Sequence, residues 1–238
     1  MCGRLIAGEE SWSEHFDRHR AFLDEMNITE MDPDAPAAAL GFNVKPTQSV
    51  NIAINGKTGL RATTARWWFV PHYFNGTPKD WSYTTFNARI EKANDTRTFK
   101  QAWQTGRCVL PVRGYYEWQK LGKEKQPWVI APQGNAPMFF LAGLWEKMQD
   151  GTATCAILTR APDPALASIH NRMPVMLRES EITPWMANAS SDDVVKSTLG
   201  DGWAGRFDAH KVRRFGMKDD GDSLIEPFDP DLEAPRLI

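Results

Sequence analysis

Arg107-Cys108-Val109-Leu110-Pro111-Val112-Arg113, followed at once by Tyr115-Tyr116-Glu117-Trp118-Gln119-Lys120, is the stretch from which the fold can be read. Aromatic and β-branched residues crowd these two runs, and such side chains suit a pleated, half-buried surface. Leu121-Gly122-Lys123-Glu124 reads as a turn, after which Gln126 to Ile130 is a third strand. Downstream, Met138–Trp145 and Thr152–Thr159 form a further hairpin around Gln149-Asp150-Gly151. Upstream, Ser49–Ile54 and Leu60–Val70 are joined across Asn55-Gly56, a strong hairpin signal. Many strands, few helices and no βαβ rhythm predict an α+β fold: a single domain spanning 1–238, built on an antiparallel, barrel-like β-sheet with short peripheral helices.

The helices expected around that sheet are brief. Ser11-Trp12-Ser13-Glu14 has the form of a capping box, opening a helix over about Ser11 to Met26 with Trp12, Phe16, Leu23 and Met26 on one side. Thr96–Gln104 is helical in character, with Gly106 as its cap. Asp163-Pro164 starts a short helix ending near His170; others are expected near Ile182–Ala187 and Asp192–Leu199. Val175–Leu177 and Ala209–Phe215 are the last strands. Asp32–Pro36 and Pro71–Tyr83 read as loops, and Phe42–Thr47 as an extended piece ahead of and through its proline.

Composition removes several classes of function. With 238 residues, 42% hydrophobic and 24% charged, the chain is ordinary for a globular protein. No apolar run approaches the roughly 20 residues of a membrane helix. Three cysteines, Cys2, Cys108 and Cys155, without a Cys-x-x-Cys pair, give neither a disulfide framework nor a zinc knuckle. The reducing cytoplasm is the expected compartment. The five histidines are scattered; His15 and His19 lie four apart but lack a third ligand, so no metal or cofactor is expected. Charge is uneven: Glu91 to Lys125 holds eight Lys/Arg against four Asp/Glu, whereas Gly216 to Ile238 holds two against seven. A basic middle with an acidic tail from about 216 is compatible with a local anion-binding face.

Four polar features stand out. In Met1-Cys2-Gly3-Arg4, removal of Met1 would leave a terminal cysteine with an amine and a thiol on adjacent carbons. Such a residue condenses with an aldehyde to an imine, which the thiol closes to a five-membered thiazolidine. Any protein can have cysteine second, so the tetrapeptide alone decides nothing. Asn87 and Arg89 are two apart and share a face if extended, offering an amide and a phosphate-gripping guanidinium. Taken alone they more commonly make a turn beside a surface ion pair. Glu117 sits among Tyr115, Tyr116 and Trp118, where desolvation would suit it to acid/base work, or it points to water between packed aromatics. His170 follows a short helix and can shuttle protons or simply cap. The adjacent Trp67 and Trp68 cannot both face one core; either one is exposed or lines a groove, or both pack under loops.

Met1-Cys2-Gly3-Arg4, Phe42–Thr47, Phe86–Glu91, Arg97-Thr98-Phe99, Arg107–Pro111, Gly114–Trp118 and Ile169–Pro174, taken in order, resemble the SOS response-associated peptidase (SRAP) family from residue 2 to about 178. That resemblance implies an abasic-site sensor that binds single-stranded DNA and links to the lesion through Cys2 after Met1 removal, with self-peptidase and some lyase activity. It implies that Asn87 positions Cys2, that Glu117 is the acid/base, and that His170 protonates the sugar ring oxygen. It also implies phosphate contacts from Arg4, Arg89, Arg97 and Arg172, a stacking platform at Trp67 and Trp68, and a monomer whose partner is single-stranded DNA containing abasic sites. Two departures are visible. Ala65-Arg66-Trp67-Trp68-Phe69-Val70-Pro71 replaces a simpler Trp-Gly motif, and no clear valine-asparagine segment follows Lys211–Arg214. Two other readings compete: an amidotransferase with an N-terminal cysteine nucleophile, whose later glutamine-binding motifs are not found, and a noncovalent single-strand binder in which Cys2 is incidental.

Overall fold

A computed structural model describes residues 2–8, 28–133, 138–187 and 206–229. The helices expected at 11–26, with His15 and His19, and at 192–199 lie outside the described residues. Thirteen strands are described. β1 (Leu5–Ile6), β2 (Ile28–Met31), β3 (Ser49–Asn55), β4 (Leu60–Trp67) and β5 (Asn87–Arg89) come first. β6 (Arg107–Val112), β7 (Gly114–Leu121), β8 (Glu124–Pro132), β9 (Phe139–Lys147) and β10 (Ala153–Arg160) follow, then β11 (Met173–Pro174), β12 (Met176–Leu177) and β13 (Phe207–Lys211). Two α-helices are described, α1 (Lys100–Thr105) and α2 (Glu179–Met186).

Five strands close on themselves in the order β10-β4-β3-β6-β9, with β9 pairing back to β10. The closure explains the alternation along each strand, because a barrel removes sheet edges and gives every strand an inside and an outside. Val50, Ile52 and Ile54 of β3 fill one core with Ala65 and Trp67 of β4, Cys108 and Leu110 of β6, Leu141 of β9, and Cys155 and Ile157 of β10. The intervening residues Ala53, Ala62, Val109, Ala142, Leu144 and Ala156 belong to a second core that includes Ala102 and Trp103 of α1 and Ile182, Trp185 and Met186 of α2. The first cluster is therefore the barrel interior and the second its helix-covered wall.

The barrel is mixed rather than antiparallel throughout. β10 runs parallel to β4 and β5, and β2 runs parallel to β4. Alternating apolar residues look the same in either direction, so the sequence does not distinguish them. A second sheet, β1-β7-β8-β13, is wholly antiparallel and leans on the barrel through Leu5, Tyr115 and Ile130, which sit in the interior core.

Other departures have local causes. Asp163 to His170 is a succession of turns, with Leu166 N donating to Asp163 O and Ile169 N to Leu166 O. This spacing of three puts both Leu166 and Ile169 into the barrel interior. α1 begins at Lys100 instead of Thr96, and Gly106 N caps it by donating to Ala102 O at 2.7 Å. α2 begins three residues earlier than expected because buried Glu181 reaches back to the Arg178 backbone N–H at 2.8 Å. β13 ends at Lys211, which frees Phe215 to lay its ring 4.7 Å from Tyr116.

Arg107 ties the helices to the wall. It is buried, and it donates to Trp103 O from Nε and to Trp185 O and Ala187 O from Nη1, while its guanidinium lies over both indole rings. A cation meeting orphan carbonyls at helix C-termini is favourable placement. Gly106 beside it has no room for a side chain, since a Cβ would fall 2.2 Å from Trp145 O. Gly106→Ala is expected to cost about 2 kcal/mol, the scale of overpacking, and to lower Tm by roughly 4–8 °C. Calorimetry checks this, and an unchanged Tm would show the wall to be more pliant than drawn.

Candidate functional site

Cys2 lies at one end of the barrel interior with almost no exposed surface, packed in the cluster that holds Leu5, Val44, Tyr115 and Ile169. The backbone from Cys2 to Leu5 is held from three sides. Leu5 N donates to Val44 O at 2.9 Å, Tyr116 N donates to Arg4 O at 3.1 Å, and Asn87 Nδ2 donates to Cys2 O at 2.8 Å. Asn87 reaches that carbonyl because β5 lies alongside β10 in the register Asn87↔Ile157. Arg89, two residues on, is exposed, while Ala88 between them is buried.

Glu117 comes from β7, whose Tyr115 pairs with Leu5. Only 4% of its side chain is exposed, and its Oε1 accepts from Trp118 N at 3.2 Å. Its Oε2 lies 3.9 Å from His170 Nδ1. That histidine rides on the turns after Asp163, and Arg172 N donates to its Nδ1 at 3.1 Å. The residues before it form turns and not the short helix that the sequence suggested. Asn87 and Glu117 therefore meet at Cys2, and His170 joins them through Glu117, each from a separate segment.

Burial, reinforced by the Glu117 charge, pushes the Cys2 thiol well above its ordinary range. Burial also raises the Cys108 and Cys155 thiols and the Tyr115 hydroxyl. These groups hold their protons in the folded state when the unfolded chain would already have released them. Their contribution to stability is thus intact below about pH 8.5, the usual thiol value, and declines above it. Each thiol is expected to remove up to about 1.4 kcal/mol per pH unit in that range. Denaturant midpoints measured at pH 8 and pH 10 check this; equal midpoints would contradict the burial of the thiols.

The remaining expected residues separate into different situations. Trp67 is completely buried, donates from Nε1 to Phe86 O at 2.8 Å and belongs to the barrel interior. It has no face left for stacking, which corrects the two-tryptophan platform. The alternation of β4 decides this, since Trp67 falls on the inward set with Ala65. Trp68 is half-buried against Phe86, ring centres 5.5 Å apart. Arg97 is exposed, with its guanidinium 4.6 Å above the Tyr73 ring. Arg4 is half-buried and donates from Nη1 to Gly3 O and from Nη2 to Met217 Sδ. Arg172 already has its fork filled, by Glu91 at 2.6 and 2.8 Å and by Thr159 O at 2.6 Å. It therefore holds the His170 turn in place rather than offering a free guanidinium.

Four further residues, Tyr115, Tyr83, Asn43 and Lys45, were not singled out from the sequence. Tyr115 is buried beside Cys2, and its hydroxyl feels the charges of both Cys2 and Glu117. Tyr83 is 67% exposed next to Trp81, an aromatic surface with no burial to explain it. Asn43 is buried and donates to Gly216 O and Asp219 O, while Lys45 donates to Met217 O. Those bonds seat the acidic segment after Phe215 along Phe42–Lys45, beside Arg4. Only the charge of that segment is visible in the sequence, not its docking.

Fold and site together define a mixed β-barrel protein that holds its second residue, a cysteine, buried beside an amide, a carboxylate and an imidazole. The family model described as "SOS response associated peptidase (SRAP)" matches residues 1–215, and the chain belongs to that family. It is 29% identical over 233 residues to the abasic site processing protein YedK of Escherichia coli, covering 95% of this chain and 100% of that one. It is likewise 29% identical over 234 residues to the abasic site processing protein YoqW of Bacillus subtilis, covering 95% and 99%. Among solved structures, a protein from Bacteroides thetaiotaomicron superposes with a TM-score of 0.74 at 18% identity over 95% of this chain and 100% of that chain, a likeness of fold. No helix among the described residues is long and apolar enough to cross a membrane.

Proposed function

We propose that this protein senses abasic sites in single-stranded DNA and attaches to them through Cys2 once Met1 has been removed. The observation that carries the reading is the Asn87 bond to the Cys2 carbonyl, which fixes the backbone of Cys2 near Glu117, itself 3.9 Å from His170. The buried thiol, which holds its proton, is assigned the second step, and the amine the first. The Cys2 amine adds to the C1′ aldehyde of the opened sugar, and water leaves to give the imine. The Cys2 sulfur then adds to the imine carbon while its proton passes to the imine nitrogen, closing the thiazolidine. In this scheme Glu117 accepts and returns protons at the amine and thiol, and His170 supplies a proton to the ring oxygen as the sugar opens. The same carboxylate is assigned the assisting role in self-cleavage of the Met1–Cys2 bond. An imine that escapes closure permits β-elimination, which is the source of lyase activity.

Arg89 and Arg97 are exposed guanidiniums, and they serve as phosphate contacts; Arg4 joins them if DNA displaces Met217. Trp68, with Tyr83, provides the stacking surface. The test is direct. Met1-free protein is mixed with single-stranded DNA carrying one abasic site and run on a denaturing gel. A slow-migrating adduct is expected with that DNA and not with undamaged DNA. Absence of the adduct with protein shown by mass spectrometry to begin at Cys2 would overturn the proposal, and release of ammonia from glutamine would favour the amidotransferase reading.

A further inference from the structure

The strand that carries Glu117 continues past the site into an exposed hairpin of unusual charge. Lys120, Lys123 and Lys125 crowd its tip, where Gly122 turns the chain with φ 62°. Lys120 and Lys125 are direct cross-strand partners. Like charges placed directly opposite each other are destabilising. The one carboxylate of the tip, Glu124, is taken by Arg214 at 2.7 Å, so it does not relieve the lysines. None of the three lysines is paired with a carboxylate among the described residues. Leu121 at the tip is half-exposed and contributes no core. The base of the hairpin is fixed to the site: Gln119 Nε2 donates to Ser168 O at 3.0 Å, two residues before His170, and Trp128 Nε1 donates to Gln119 Oε1.

We propose that this hairpin tip is a phosphate-binding arm for the DNA strand that flanks the lesion; it rests on the function proposed above. An array of lysines that repel one another in the free protein is relieved when a polyanion lies between them. Lys120 is three residues from Glu117, roughly 10 Å along an extended strand. The side chains of Glu117 and Lys120 leave opposite faces of the strand, and the long, exposed lysines at the tip meet a nucleic-acid strand leaving the site within a few nucleotides of the abasic sugar. The Gln119–Ser168 bond makes the distance from lesion to arm a property of the fold and not of a loose loop.

The test uses the full chain with Lys120→Gln, Lys123→Gln and Lys125→Gln combined, and fluorescence anisotropy on an undamaged single-stranded 20-mer across a salt series. Loss of three phosphate contacts should reduce the log–log salt slope by about 2 and weaken binding roughly tenfold to a hundredfold at 0.1 M salt. The variant should melt at or above the temperature of the parent, because a like-charge opposition has been removed. An unchanged slope in a variant that melts normally overturns the arm. Loss of binding to anionic phospholipid vesicles with the DNA slope unchanged also overturns it and assigns the hairpin to a lipid surface. Adduct formation by the parent protein on abasic DNA is scored separately. If the parent forms no adduct but the slope falls, the covalent reading fails while the arm stands; if the adduct forms and the slope is unchanged, the arm alone fails.

Discussion

Cys2→Ala, in protein freed of Met1, is expected to yield no heat-stable adduct with abasic single-stranded DNA, a fall of at least a hundredfold on a denaturing gel. The residual chemistry is the informative part. Alanine leaves an α-amine at the terminus, and Asn87 grips the backbone carbonyl of residue 2, which the substitution keeps. The variant should therefore still reach the aldehyde and form an imine, trapped by borohydride, without a sulfur to close the ring. Strand cleavage by β-elimination should rise in the same samples. Persistence of a heat-stable adduct would remove the thiol from the mechanism.

Glu117→Gln is expected to slow adduct formation by about 10²–10⁴-fold at saturating DNA, the usual contribution of a positioned acid/base. The amide keeps the size of the side chain and can still accept from Trp118 N, so the fold should be spared. Removing the charge also removes one of the two causes that raise the Cys2 thiol pKa. The Cys2 thiol should then ionise at lower pH and react faster with an alkylating reagent in denaturation-free conditions. A merely structural role for Glu117 would not couple slower cross-linking to faster alkylation. An unchanged cross-linking rate would take Glu117 out of the reaction.

The strand content was readable because turn chemistry punctuates it: Asn55-Gly56 and Gln149-Asp150-Gly151 fall between runs that pair as expected. Direction was not readable. β10 presents the same alternation to antiparallel β9 and to parallel β4, and nothing local records which neighbour runs which way. β1 is two residues long, too short for any period, yet it carries Cys2 to its place. At the site, Cys2, Asn87, Glu117 and His170 could be picked out by residue type and order. Their convergence was not visible, since Asn87 and Cys2 are 85 residues apart and meet only through β5 and β1. The guanidiniums were the least legible part. Arg172 and Arg89 look alike in sequence, but Glu91, 81 residues away, fills the fork of one and leaves the other exposed. Trp67 and Trp68 were inseparable until the register of β4 put one inside the barrel.

Asn87 binds the main chain of Cys2 and not its sulfur, and Arg4 O and Leu5 N are fixed from the other sides. On the function proposed above, the site thus works as a ruler, counting residues from a fixed mark on the main chain to the end of the chain. On that reading, one residue too many would move the reactive amine off the mark, however perfect the cysteine. Purification tags then belong at the carboxyl end of this protein, and a preparation whose initiator methionine persists is expected to look folded and intact and to form no adduct.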